Sequence, residues 1–307
     1  MSRRSDSGLD GILLVDKPRG WTSHDVVAKV RRITGQRRIG HTGTLDPMAT
    51  GLLTLCLGNA TRLVEFLIGH DKRYTATVAL GQATTTDDDE GEVLEACPVP
   101  ELAASTLEAA LDGFRGPILQ TPPAFSALKV GGRRAYDLAR AGAPPKMAPR
   151  SIIIYSLQGE FSGPAAVELD LTCSSGTYVR SLARDLGIAL GTVAHLSTLR
   201  RERAGPFSIG ASYTLDVIEA AAKAGTIEEF LAPADEGIAD MEAAILGMEG
   251  ATSVANGLAW MTVIPPVGDR FPVRIYAASG SFVGVGSVSS LGRIHASKVL
   301  WRDKSAN

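Results

Sequence analysis

The sequence predicts an α/β fold followed by a small β-rich module, and three observations carry that prediction. Strand-type alternation and helix-type spacing succeed one another over the first two thirds of the chain. Val167 to Cys173 alternates strictly, with Val167, Leu169, Leu171 and Cys173 on one face, as a strand with one buried side does. From about Gly250 onward the helix signals give way to short alternating runs rich in Gly, Val and Ser. A chain of 307 residues has room for two domains. Its 45% hydrophobic and 21% charged residues exclude a disordered, collagen-like or coiled-coil protein.

Taken in order, Gly11 to Val15 reads as a strand, and Ser23 opens a helix whose apolar stripe is Val26, Val27, Val30 and Ile33. Glycines, threonines and a proline then make an extended loop that feeds the apolar run Leu52–Leu57. Residues 74–80 alternate, placing Tyr74 on one face with Val78 and Leu80. A helix is expected from about Pro100 to Leu111, with proline in its first turn. The Pro-, Gly- and Arg-rich stretch 115–150 reads as an insertion holding at most a strand and a short helix around Tyr136. After the Val167–Cys173 strand, Thr177 is placed to cap a helix with the stripe Val179, Leu182, Ala183 and Leu186, and Arg180 and Arg184 share one of its sides. Helical composition returns at Leu215–Lys223. The acidic segment Asp235–Glu249 reads as a linker, with a domain boundary near 245: residues 1–245 form the larger domain and 246–307 an all-β module with strands at Val273–Tyr276 and Phe282–Val285.

The net charge of −2 hides segregation along the chain. Residues 1–40 carry nine basic residues against four acidic ones, and residues 129–150 carry six against one, while acids gather at Asp87–Glu92 and from Asp235 to Glu249. No apolar run is long enough to cross a bilayer and the N-terminus lacks a signal-peptide pattern, so a cytoplasmic protein is expected. Cys56, Cys97 and Cys173 stand far apart and read as small core residues, which supports neither a disulfide framework nor a metal site.

The chemistry concentrates in Gly40–Leu52, a polar loop with three glycines, three threonines, His41 and Asp46. Asp46 before Pro47 is a good helix start, the carboxylate capping and the proline in the first helical position. A carboxylate on a preorganised loop can equally serve as nucleophile or general base. Composition does not choose between these readings.

Gly40–Leu52 resembles the catalytic-loop signature of the TruB family of tRNA pseudouridine synthases. Further segments match in the family's order: Leu14–Pro18 with Gly20, Asp71–Tyr74, Pro122–Lys129 and Ser175–Gly187. Val254–Gly257 and Phe282–Gly286 look like the family's PUA-type RNA-binding module. The resemblance implies a mixed, largely antiparallel sheet and isomerisation of a T-loop uridine, conventionally position 55, in tRNA. It implies Asp46 as the essential aspartate, Tyr74 as the residue that stacks on the flipped uracil, and Arg180 as a bidentate partner that keeps the carboxylate ionised and aimed. His41 corresponds to the residue occupying the space of the everted nucleotide, Leu199 to the edge of the uracil pocket, and Lys17, Gly43, Thr44 and Tyr178 to substrate binding. The 129–150 stretch resembles an insertion that folds over the T-arm. No cofactor or metal is expected, nor an obligate protein partner, and a monomer is the expectation. No Walker-type loop is present, and Gly284-Val-Gly286 lacks the third glycine of a dinucleotide fingerprint.

Isomerisation must break the N1–C1′ bond, turn the uracil and join C5 to C1′. Asp46 could attack C1′, add to C6 or take a proton from C2′. A base in a folded loop must first leave its stack, at a cost of a few kcal/mol that basic contacts to phosphate can offset. Two rival readings are a non-catalytic tRNA-binding or tRNA-folding protein on the same scaffold, and a glycosidase-like hydrolase. The second needs another carboxylate, for which Asp185 is the candidate.

Overall fold

The computed structural model describes residues 7–126, 128–262 and 268–301. Arg3 and Arg4 of the first basic cluster, Ala127 of the Pro122–Lys129 motif and the last residues of the C-terminal module lie outside them.

The larger unit is built on a sheet of ten strands among the described residues. Its main path runs Leu231–Ala232, Gly11–Lys17, Thr50–Leu57, Ala194–Ala204, Lys72–Leu80, Ala166–Cys173, Arg150–Gly163 and Gly116–Gln120. Ile39–His41 pairs with Thr50–Leu57, and Phe207–Ser208 with Ala194–Ala204. Thr50–Leu57 and Ala194–Ala204 run parallel. The other pairings are antiparallel, giving the mixed sheet expected from the resemblance. The parallel pair brings Gly51 opposite Arg201 so closely that a Cβ there would stand 2.4 Å from the Arg201 carbonyl oxygen, and Gly51 has φ +96°.

One face of the sheet packs on the helices Ser23–Thr34, Ala104–Asp112, Val179–Ala189 and Leu215–Ala224 through a continuous apolar core. The first helix starts at a capping box, the Thr22 hydroxyl accepting from Asp25 N while the Asp25 carboxylate accepts from Thr22 N, and it stops at Gly35 in the left-handed region. The opposite face is covered near the Gly11–Lys17 and Thr50–Leu57 strands by the short helix Val64–Ile68 and by the C-terminal unit, whose Val285, Phe282 and Leu300 join a core with Leu63 and Leu67. That unit is a five-stranded sheet in the order Ala243–Leu246, Arg270–Ala277, Phe282–Val288, Arg293–Val299, Trp260–Met261. It has its own core around Leu246, Val254, Ile275, Val283 and Ile294.

Several expectations are corrected. The Pro100 helix begins only at Ala104, after Ala103 in an extended conformation (φ −83°, ψ 155°), so Pro100 lies ahead of the helix and not in its first turn. Thr177 is not a cap: its hydroxyl donates to Ser174 O within the turn, and Tyr178 stands at the cap position. Residues 116–120 belong to the edge of the main sheet, and the insertion beyond them adds a small hairpin, Lys129–Val130 with Arg133–Arg134, to the helix Ala135–Arg140. The acidic stretch is not a linker, since Ile238 and Leu246 are buried and Ala243–Leu246 pairs with Arg270–Ala277. The C-terminal unit is not all β, because Met248–Ala255 is helical. Cys97 lies outside the core, whereas Cys56 and Cys173 are in it.

Candidate active site

Asp46 sits on a turn clamped from three directions. Ser23, at the start of the first helix, accepts from Leu45 N at 2.9 Å and donates to Leu45 O at 3.1 Å. Ala49 N donates to Asp46 O at 3.1 Å, closing a turn over Pro47 and Met48, and buried Met48 and Ala49 anchor it. No helix follows Pro47, so the helix-start reading of Asp46-Pro47 does not hold. Behind the turn, Lys17 is fully buried and its ammonium donates to Pro18 O (3.0 Å), Trp21 O (2.6 Å) and Pro47 O (3.3 Å). Burial lowers the Lys17 pKa to about 8, against the pull of Asp46 and Glu90. Lys17 therefore braces the turn and does not face open solvent.

The Asp46 carboxylate is 35% exposed and its Oδ2 lies 2.9 Å from Arg180 Nε. Arg180 is 5% exposed. The pairing is not the bidentate one expected: Nη1 donates to Thr86 O at 2.8 Å and Nη2 to Phe125 O at 2.9 Å, so the outer nitrogens are committed elsewhere. Nη1 also lies 3.4 Å from Oδ2 of Asp88, a carboxylate that is 3% exposed and accepts from Glu90 N. One turn further along the same helix, Arg184 pairs with Asp87 and Asp185. The acidic run 87–92, which reads from sequence as a charged segment only, is thus a tight turn gripped by both arginines. Asp88 was not anticipated, since nothing local distinguishes it from its acidic neighbours.

Tyr74 is 8% exposed on the core face of its strand, and burial is the main reason its pKa is raised, with Arg201 opposing and Asp46 adding to the rise. Its cross-strand neighbour is Arg201, also unanticipated. Leu199, two residues before Arg201, lies in the same core as Tyr74, Leu45 and Met48. His41 is half-buried, edge-on to His24 with ring centroids 5.9 Å apart, and its pKa is lowered by burial, then by His24 and Arg201. Gly43 presents its carbonyl to Arg201, and Thr44 is exposed beside Asp46. Tyr178 has both backbone groups held by the buried Gln120 side chain, and its ring lies under the Arg150 guanidinium. Gly176, with φ +81°, leaves the space that Arg150 fills, 2.5 Å from where a Cβ would be. The charge of Asp46 acts to raise the pKa of Lys17, Tyr74 and Tyr178 alike. A separate hollow of about 700 Å³ on the polar face of the sheet, lined by Thr75, Thr77, Glu168, Asp170 and Thr198, includes only Leu199 of the expected site residues.

Residues 31–179 match the profile of the N-terminal domain of TruB family pseudouridylate synthases, and residues 180–245 that of the C-terminal domain of tRNA pseudouridylate synthase B. A tRNA pseudouridine synthase B from Leifsonia xyli is 44% identical over 90% of this chain and 91% of its own. The chain belongs to the TruB family. Another relative of the same name, from Ectopseudomonas mendocina, is 41% identical over 95% of this chain and 96% of its own. Among solved structures, a chain of a Cbf5-Nop10-Gar1 complex superposes with a TM-score of 0.73 at 24% identity, covering 95% of this TruB-family chain and 85% of that one. At that identity it speaks to the fold alone. The Asp46 turn, Tyr74 and Asp88 fall within the matched N-terminal segment, while Arg180 and Arg201 fall within the C-terminal one.

Proposed function

We propose that this protein isomerises uridine to pseudouridine in tRNA, that its target is the T-loop uridine conventionally numbered 55, and that Asp46, Tyr74 and Arg180 carry the reaction. The observation that supports this most directly is the Asp46 carboxylate, presented at a turn braced by Ser23 and Lys17 and held 2.9 Å from a buried guanidinium that is itself locked by two backbone carbonyls. Such a carboxylate is preorganised for attack or proton transfer.

In the reaction the N1–C1′ bond breaks, C5 joins C1′, the C5 hydrogen leaves as a proton to solvent and N1 gains one, so the composition of the RNA is unchanged. The proposed chemistry calls on no nucleotide or metal. Tyr74 stacks against the everted base, Arg180 aims Asp46, and His41, Leu199, Gly43, Thr44 and Tyr178 shape the pocket. Lys17 serves it from behind the turn. The basic insertion around Lys129–Arg150 takes the T-arm, and the C-terminal unit, which begins with the Ala243–Leu246 strand and so a few residues before the expected boundary, is a PUA-type RNA-binding domain appended to the catalytic domain. We read the protein as a cytoplasmic monomer; no helix among the described residues is long and apolar enough to cross a membrane.

The test is to incubate the protein and its Asp46→Asn variant with unmodified tRNA transcript and map pseudouridine by carbodiimide-dependent reverse-transcription stops. One new T-loop stop that vanishes with the variant supports the reading. Binding of tRNA without any stop would replace it with that of a tRNA-binding protein.

A further inference from the structure

Arg201 is 3% exposed, and among the described residues it forms no ion pair with a carboxylate. Taking a guanidinium out of water without a counter-charge costs several kcal/mol. Here the charge also weighs on Lys17, Lys72 and His41, each of which it pushes towards the neutral form. A buried cation surrounded by basic groups calls for an account of what its charge does there.

Its contacts give one. Nε donates to Leu52 O at 2.6 Å and Nη2 to Gly43 O at 3.1 Å, so one guanidinium ties together the two ends of the loop that presents Asp46. Arg201 and Tyr74 stand opposite each other on adjacent antiparallel strands, and the guanidinium's charge opposes the rise that burial gives the Tyr74 pKa. The two side chains that flank the reacting base are therefore referred to the same fixed group.

We propose that Arg201 is a positioning residue for the isomerisation: it sets the Asp46 loop from both ends, stands across the strand pair from Tyr74, and keeps a positive charge behind the base while the N1–C1′ electron pair passes to the uracil. The proposal rests on the isomerase reading above. When N1–C1′ breaks, the pair stays on N1 and spreads over the two carbonyl oxygens. When C5 bonds to C1′ that pair is consumed, and the C5 proton leaves as N1 regains one. A fixed cation favours the anionic stage over the neutral substrate and product. It does so whichever of the three routes Asp46 takes, because each leaves the electron pair on the base.

The test compares Arg201→Met, Arg201→Lys, Tyr74→Phe and the double variant Arg201→Met with Tyr74→Phe in the full chain. It measures tRNA retention on filters, single-turnover tritium release from tRNA labelled at uridine C5, and folding by urea denaturation. Arg201→Met is expected to slow the single-turnover step about 100-fold while tRNA affinity is little changed. The double variant is expected to be slower than Arg201→Met by less than the separate Tyr74→Phe effect. Arg201→Lys places an ammonium among Lys17, Lys72, His41, Tyr74 and Asp46. It is expected to recover rate at low pH and lose it as pH rises through the range near 8 where Lys17 and Lys72 titrate, more steeply than the wild type. An unchanged rate in Arg201→Met, a parallel loss of tRNA binding, or fully additive effects would overturn the proposal. If Arg201→Met does not fold, the Arg201→Lys profile decides, and one parallel to the wild type overturns it. If the wild type itself releases no tritium, the isomerase reading fails instead.

Discussion

Replacing Arg180 with Met separates what this arginine does for stability from what it does for Asp46. The side chain is 5% exposed, and its removal leaves Asp88, 3% exposed, as a buried carboxylate with its guanidinium partner gone. Stranding one member of a buried pair costs about 3–5 kcal/mol. The carbonyls of Thr86 and Phe125 each lose a charged donor as well, at about 1 kcal/mol apiece. Asp46, one third exposed, keeps water and contributes little to the loss. With a urea slope near 3 kcal/mol/M, the upper end for small proteins, the midpoint of Arg180→Met is expected to fall by about 2 M. Adding Asp88→Asn removes the stranded charge while keeping an oxygen for Glu90 N, so the double variant is expected to regain about half of that fall. Activity does not return, because nothing then aims Asp46. Urea denaturation followed by circular dichroism, beside single-turnover tritium release, reads both quantities. A double variant no more stable than Arg180→Met would refute the reasoning, since Asp88 would then not be sensing the arginine.

Three further outcomes are expected. Gly51→Ala places a methyl 2.4 Å from the Arg201 carbonyl at φ +96°, so it is expected to break the parallel pairing at the site and abolish both a cooperative urea transition and activity; a soluble, active variant would contradict the register. Ser23→Ala removes both bonds to Leu45 and is expected to cost about 1–2 kcal/mol and to slow isomerisation more than it weakens tRNA retention. Stability is expected to rise from about pH 8 to 9. Lys17 and Lys72 titrate near 8 when folded and 10.5 when unfolded, so the unfolded chain binds the more protons there, for a gain of up to about 2 kcal/mol. Above 9 the gain levels off, because the buried thiols of Cys56 and Cys173, at about 12 and 11, keep protons that the unfolded chain releases. A urea midpoint that does not move between pH 8 and 9 counts against burial of the two lysines.

Much of the fold was legible where period and function agree. The alternation of residues 74–80 and 167–173 reports one-sided burial directly, and both strands are found with the predicted inward faces. Two long strands, Arg150–Gly163 and Ala194–Ala204, gave no comparable signal because bulges interrupt their register, between Ile154 and Ser156 in the first and at Leu196–Thr198 and Arg201–Arg203 in the second. The charged run Arg200–Arg203 adds to the masking, since a buried arginine looks in sequence like an exposed one.

The motif segments could be read from the chain alone because a turn-forming Gly and Thr loop around Asp46, or a helix stripe beside Arg180, depends on residues a few positions apart. Partnership could not. Asp88 meets Arg180, and Arg201 meets Gly43 and Leu52, across separations of about 90 to 160 positions that only strand order and register bring together. Lys17 likewise belongs to a motif, yet its burial beneath Pro47 follows from how the first strand and the Asp46 turn pack. Local preference decides which side chains are available; the desolvation and charge that give each its chemical character arise only when distant strands close around it.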